Sequence, residues 1–239
     1  MSSKRIFLLF INTMLFINGH SQTAKKYADQ GYAKIELEEY RSAILAYDKA
    51  IAINTKNAEN YAFRGFSKFK LADYKGAIAD YTKAITLDAK TTNYYATRGS
   101  ARAKLNDYKG ALSDYNRVIN LEPKNPFAYY IRGYTRMNLN DNTAAIADYS
   151  KAIQLDPDFK DAYVNRGKLK NKMKDYKGAI ADYSKVIAMD GTDAMAYYMR
   201  GNVKSRLGDL KGSKADHATA IKLYPKIENL YKLTDSKED

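Results

Sequence analysis

Ala58–Thr91, AENYAFRGFSKFKLADYKGAIADYTKAITLDAKT, is the stretch that the rest of the chain copies. A shift of 34 residues lays Arg64-Gly65 on Arg98-Gly99, Arg132-Gly133, Arg166-Gly167 and Arg200-Gly201, and Asp80-Tyr81 on Asp114-Tyr115, Asp148-Tyr149 and Asp182-Tyr183, with no insertion or deletion. A fixed period of this length marks a stacked-repeat architecture, in which each unit is one supersecondary element that cannot bury its apolar face alone. Residues that recur are committed to packing, so function is to be sought on the surface that varies.

Working outward from that stretch, the units run 24–57, 58–91, 92–125, 126–159, 160–193 and 194–227, and residues 228–239 form a short cap and charged tail. Each unit reads as two helices. In the second unit the first helix spans about Glu59 to Leu71, with Tyr61, Gly65 and Leu71 inward. After a turn at Ala72-Asp73, the second spans about Lys75 to Leu87, with Ala77, Ile78, Tyr81, Ala84, Ile85 and Leu87 at helical spacing. Small Gly65 and Ala77 let the two backbones approach. An acid precedes every second helix, as Glu39, Asp73, Asp107, Asp141, Asp175 and Asp209, where a carboxylate caps free amides and suits the helix dipole. Pro123, Pro157 and Pro225 stop second helices.

The series Tyr129, Gly133, Ala145, Tyr149, Ala152 and Pro157, repeated in register along the chain, closely resembles the tetratricopeptide repeat. The resemblance implies an all-α fold, a right-handed α-solenoid of six helix-turn-helix repeats; Lys226 to Thr234, with Ile227, Leu230 and Leu233, reads as a short C-terminal capping helix, where the family commonly has a longer polar one. The resemblance also implies that first helices line a concave groove that binds peptides or protein segments. Residues of the first helices that do not face their own second helix then form the binding surface: Phe66, Phe69 and Lys70, Lys104, Tyr130, Tyr134 and Met137, Lys168 and Lys172, Tyr198 and Arg206. The large apolar groups among them are expected to anchor a partner, with Lys70, Lys104, Lys172 and Arg206 as a basic rail beside them, so the expected partner is a protein or peptide with acidic and hydrophobic residues. A Lys and Asn pair of the chaperone-binding type is absent from the first unit, which has Ala28 and Tyr32 in those places.

Two features depart from the family pattern. Arg64, Arg98, Arg132, Arg166 and Arg200 stand where the family usually has Leu, with Lys68, Arg102, Arg136, Lys170 and Lys204 one turn later. Unpaired, such arginines would each cost several kcal/mol in desolvation, so they are expected to pair with Asp80, Asp114, Asp148, Asp182 and Asp216 of the same unit. The first unit supports this, since Gln30 and Ala46 lose base and acid together. The second feature is tyrosine, 22 residues with no Trp, recurring at core positions.

Charge and composition narrow the function. The net charge of +13 is spread over all units, which favours acidic partners or anionic surfaces without naming one. With no Cys there is no thiolate nucleophile, disulfide or cysteine zinc site. No phosphate loop or His-Glu-x-x-His occurs, and His20 and His217 are the only histidines, so no catalytic residue, metal site or cofactor is expected. Nucleic acid is disfavoured because the Asp series balances the basic residues locally. Lys4-Arg5, the apolar run Ile6 to Ile17 and the small or polar residues to Ser21 read as a signal peptide over 1–21, an uncleaved anchor being the alternative. Together these point to a non-enzymatic exported adaptor, periplasmic, envelope-associated or secreted, with no transmembrane span in the mature chain. The alternative is a scaffold on an anionic polymer or lipid surface.

Overall fold

A computed structural model describes residues 21–227, and they are helical throughout apart from short turns. The expected signal segment, apart from Ser21, and the cap and tail over 228–239 lie outside the described residues. The helices are α1 (21–36), α2 (Tyr40–Ile53), α3 (Ala58–Lys70), α4 (Tyr74–Leu87), α5 (Thr92–Lys104) and α6 (Tyr108–Leu121), then α7 (Pro126–Asn138), α8 (Asn142–Leu155), α9 (Lys160–Lys172), α10 (Tyr176–Met189), α11 (Ala194–Leu207) and α12 (Leu210–Leu223). A 3-10 turn, Pro225–Ile227, follows. The chain forms two compact units that divide between Glu122 and Pro123, so unit 1 holds α1 to α6 and unit 2 holds α7 to α12 with the final turn. In each unit odd and even helices pair, and each pair packs on the next. The architecture is all-α, a stack of helix-turn-helix repeats.

Close approach inside a pair comes from the missing side chain of the repeated glycine. A Cβ on Gly65 would lie 3.1 Å from Asp80 Cβ and 3.2 Å from the Tyr81 ring. The aromatic ring of the second helix lies over that gap, and Tyr47, Tyr149 and Tyr183 are among the largest fully buried side chains. Ala77, Ala145 and Ala179 are also fully buried. Leu71 departs from its expected inward position: it follows α3, beyond the pair interface, and is exposed.

The turns are built alike. Glu38, Ala72, Asn106, Asn140 and Lys174 adopt φ of 57 to 64°, and Gly208 takes the equivalent place at 91°. This left-handed residue lets the Asp73 amide reach back to the Lys68 carbonyl at 2.9 Å while the Ala72 amide donates to the Phe69 carbonyl at 3.0 Å, closing the end of α3. The chain then restarts at once, because Asp73 Oδ1 accepts from the Gly76 amide at 2.9 Å. Asp107, Asp141, Asp175 and Asp209 do the same for α6, α8, α10 and α12. Glu39 does not cap α2. Its carboxylate instead takes Lys34 Nζ at 2.7 Å.

The arginine ladder pairs within each repeat, as expected. Arg64 Nε and Nη2 donate to the two oxygens of Asp80 at 3.0 and 2.6 Å, and Lys68 Nζ adds a third contact at 2.8 Å. The same fork joins Arg98 to Asp114, Arg132 to Asp148, Arg166 to Asp182 and Arg200 to Asp216. Each guanidinium also stands 5.5 to 5.8 Å from the ring of Tyr61, Tyr95, Tyr129, Tyr163 or Tyr197. Its remaining nitrogen, Nη1, reaches back to the preceding repeat: Arg64 to Asp48 at 2.7 Å, Arg98 to Thr82 at 3.1 Å, and Arg166 to Ser150 and Arg200 to Ser184 at 3.0 Å. Burial alone would push the Asp216 carboxyl up, but its hydrogen bonds to Arg200 and Lys204 hold it below the usual carboxylate range.

Candidate functional site: the faces of the first helices

With the ladder and the tyrosines committed to packing, the first helices retain a variable face. In unit 1 a cleft of about 430 Å³ opens between neighbouring first helices, lined by Ile35 of α1, Ala62, Phe63 and Phe66 of α3, Tyr81 of α4 and Asn93 and Tyr94 of α5, with Glu59 and Thr91 completing it. A second cleft of about 440 Å³ lies beside α1, between Asp29, Tyr32, Tyr47, Asn57 and Phe63. The Tyr47 hydroxyl is buried there and has no hydrogen-bond partner among the described residues. Burial and then the nearby Tyr32, Asp29 and Glu59 push its pKa upward. Burial and Glu59 act on Tyr94 in the same direction.

The expected site residues of unit 1 divide. Phe66 lines the cleft, its ring centre 6.3 Å from that of Tyr40 in an edge-to-face arrangement. Phe69 turns into packing, with its ring centre 5.3 Å from Tyr74 and against the buried cluster of Ala77 and Tyr81. Lys70 is exposed, and its Nζ stands 5.5 Å from the Phe66 ring. Lys104 is exposed at the end of α5.

In unit 2 the aromatic groups gather on α7. Tyr134 is 48% exposed and Phe127 56% exposed. Between them Tyr130 is half-buried, its ring 4.9 Å from Phe159 and its hydroxyl accepting from Asn165 Nδ2 at 3.0 Å. Phe127, Tyr130 and Tyr134 fall at spacings of three and four residues and share one helix face. Met137 is half-buried and packs against Ala145, Tyr149 and Leu169. Lys168 and Lys172 are exposed on α9, and exposed Arg206 donates to Asn171 Oδ1 at 3.2 Å. Tyr198 is a packing residue, 8% exposed and set against Ala220 and Ile227.

Phe127, Phe63, Ile35 and Tyr94 belong to these faces yet do not stand out in the sequence. Phe127 is seven residues before Tyr134, and that helical spacing is the signal that finds it. Phe63, Ile35 and Tyr94 are brought together by stacking of different first helices, which no spacing along one helix reveals. His217, half-buried, has Nε2 2.9 Å from Asn202 Oδ1 and lies against Gly201 in the place where earlier second helices carry a buried tyrosine such as Tyr183. Among the described residues no group of His, Cys, Asp and Glu could hold a metal ion, and no helix is long and apolar enough to cross a membrane.

Comparison with known proteins gives the same picture. The family model described as TPR repeat matches 99–140 and 133–174, and the one described as Tetratricopeptide repeat matches 58–91, 160–193 and 194–227, in the register of the helix pairs. No curated protein matches the chain. Among solved structures, a tetratricopeptide repeat protein from Parabacteroides merdae is similar at a TM-score of 0.71 and 20% identity, over 88% of each chain. YrrB, described as a TPR protein with an unusual peptide-binding site, is similar at 0.68 and 21%, over 80% of this chain and 98% of its own. MamA from Desulfovibrio magneticus is similar at 0.68 and 21%, over 72% of this chain and 97% of its own. These likenesses concern the fold. Helix pairs of one length, glycine contacts at one register and family models in phase with both lead to one conclusion: the chain belongs to the tetratricopeptide repeat family.

Proposed function

We propose that this chain is a non-enzymatic, exported scaffold that holds a segment of another protein against its first helices. Proteins of this family are in general scaffolds for protein–protein interaction. The observation that carries the finer reading is the aromatic face of α7, where Phe127 and Tyr134 stay exposed although the repeat has no packing use for them. Large exposed apolar groups on a regular helix face mark interaction sites more often than bare solvent contact. The cleft of unit 1, with Phe66 in its wall, supplies a similar seat for one apolar side chain.

Charge orients the occupant. In unit 1 Glu59 stands at the start of α3 and Lys70 at its end, about 16 Å apart at helical rise, so a segment lying along α3 meets opposite charges at its two ends. Lys104 adds to the basic side of unit 1, and Lys168, Lys172 and Arg206 give unit 2 exposed basic groups of its own, and each set favours acidic flanks on the partner. Peptide binding in the structurally similar YrrB supports this reading by analogy of fold. Export rests on the residues before Ser21, whose basic start and apolar run have the form of a signal peptide.

A photoreactive residue placed at Tyr134 or Phe66, with Ala147 on the exposed side of α8 as control, tests the assignment. Cross-links to a partner from the first two positions and none from the third are expected. Cross-linking that is equal from Ala147, or capture of the same partners by a Phe66→Ala plus Tyr134→Ala variant, would show that the first helices are not the binding face.

A further inference from the structure

The second helices carry a charge pattern that peptide binding does not use. In unit 1, Arg41 and Lys49 on α2, Lys75 and Lys83 on α4, and Lys109 and Arg117 on α6 are exposed. Each pair is eight residues apart, which puts both members on one helix face about 12 Å from each other. Midway between them stand Leu45, Ala79 and Ser113, also exposed. The exposed acid on these helices is Asp48, and it is bound to Arg64 Nη1 at 2.7 Å. Unit 2 repeats the device as Lys177, Ala181 and Lys185 on α10, and α12 exposes Lys211, Lys214 and Lys222 with no exposed acid. The capping carboxylates lie two residues before the first basic row and turn toward their own helix amides, as Asp73 does at 2.9 Å, so they offset that row in part. The second row stands clear of them. First helices, by contrast, mix signs, with exposed Asp29, Glu59 and Asp161 among their lysines.

We infer that the outer face of the second helices is an electrostatic docking surface for an anionic lipid bilayer. In unit 1 the charges repeat in two directions, along each helix and from one second helix to the next, and a plane of phosphates matches such a grid where a linear polyanion engages one row; in unit 2 α10 alone keeps the pair, since α8 has Thr143 and part-buried Lys151 in those places. Apart from Leu45 the residues between them are small, and none offers an exposed ring on which a base could stack. Lysine predominates, a compact charge suited to headgroup phosphates and poor at bidentate reading of a particular ligand. Leu45, exposed between Arg41 and Lys49, adds an apolar side chain that fits between headgroups. A bilayer on this side leaves the first helices free, so the surface is independent of the groove.

The test is flotation of the full chain with vesicles of phosphatidylglycerol in phosphatidylcholine, against vesicles of phosphatidylcholine alone. Partition is expected to be higher on the anionic vesicles and to fall as salt shortens the screening length. Neutralising one row member weakens partition about fivefold, so Lys75→Gln with Lys83→Gln lowers it about 25-fold. Both side chains are exposed, so folding is retained and unchanged circular dichroism verifies it. Tyr134→Ala leaves vesicle binding unaltered. Equal partition into both vesicle types, or binding indifferent to the paired substitution, overturns the inference. Retention on soluble polyphosphate without vesicle binding overturns it in favour of a linear polyanion.

Discussion

Asp182 binds two cations at once, Arg166 through Nε and Nη2 at 3.0 and 2.6 Å and Lys170 at 2.9 Å, with its own side chain only 4% exposed. The two cations are not equivalent to the acid in what their loss would cost. Asp182→Ala strands both bases beside a helix interface and is expected to destabilise by about 3 to 5 kcal/mol. Arg166→Leu leaves the carboxylate with Lys170 and should cost about 1.5 to 3 kcal/mol, the worth of charge-assisted bonds lost to a packed apolar group. Urea unfolding of the two variants checks the order, and a cost for Asp182→Ala below about 1 kcal/mol would mean that the pair is screened as a surface bridge is. This pairing is legible in the sequence because Gln30 and Ala46 lose both partners in the same unit. The reach of Arg166 to Ser150 is not legible, since the matching positions hold Asp48, Thr82, Asn116, Ser184 and Ala218, with no one residue type kept along the chain. What they share is an acceptor, except at Ala218, where no further repeat follows among the described residues.

Helix positions and pairing are legible because they rest on period, small-residue contacts and capping aspartates, all local. The groove is less so. Tyr130 and Tyr198 occupy equivalent repeat positions, yet one is half-buried beside Phe159 and Asn165 and the other is covered by Ala220 and Ile227. What covers such a side chain comes from the residues stacked beside it, and these differ between repeats. The turns behave in the opposite way, fixing one backbone shape on dissimilar residues. Lys174 is held at φ 64° where Gly208 takes the left-handed conformation at 91° with no heavy atom within 4 Å of its missing Cβ. A side chain with a Cβ is strained there by about 1 to 2 kcal/mol, and glycine's greater freedom in the unfolded chain returns about half of that. Lys174 is exposed, so no packing is lost, and Lys174→Gly is expected to stabilise the α9–α10 turn by up to about 1 kcal/mol in thermal or urea melts. Destabilisation instead would place a packing role on the Lys174 stem.

Over the whole chain each repeat is held chiefly by its neighbours, so stability should vary along a unit instead of being uniform. In unit 2, α9 and α10 are flanked by α8 on one side and α11 on the other, whereas among the described residues α12 is followed only by the Pro225–Ile227 turn. The last pair also has His217 where the earlier second helices carry a buried tyrosine, which removes apolar area under Gly201. Native-state hydrogen exchange should therefore find lower opening free energies for the amides of α11 and α12 than for those of α9 and α10. Arg200 links the two pairs through Ser184 at 3.0 Å while holding Asp216 inside its own pair. Ser184→Ala cuts the link between pairs and leaves the fork intact, so it is expected to lower protection by about 1 kcal/mol in α11 and α12 with little change in α9 and α10. If protection falls equally in all four helices, unit 2 opens as one cooperative block. The guanidinium would then join the two pairs into that block, and loss of its bond to Ser184 would be felt on both sides.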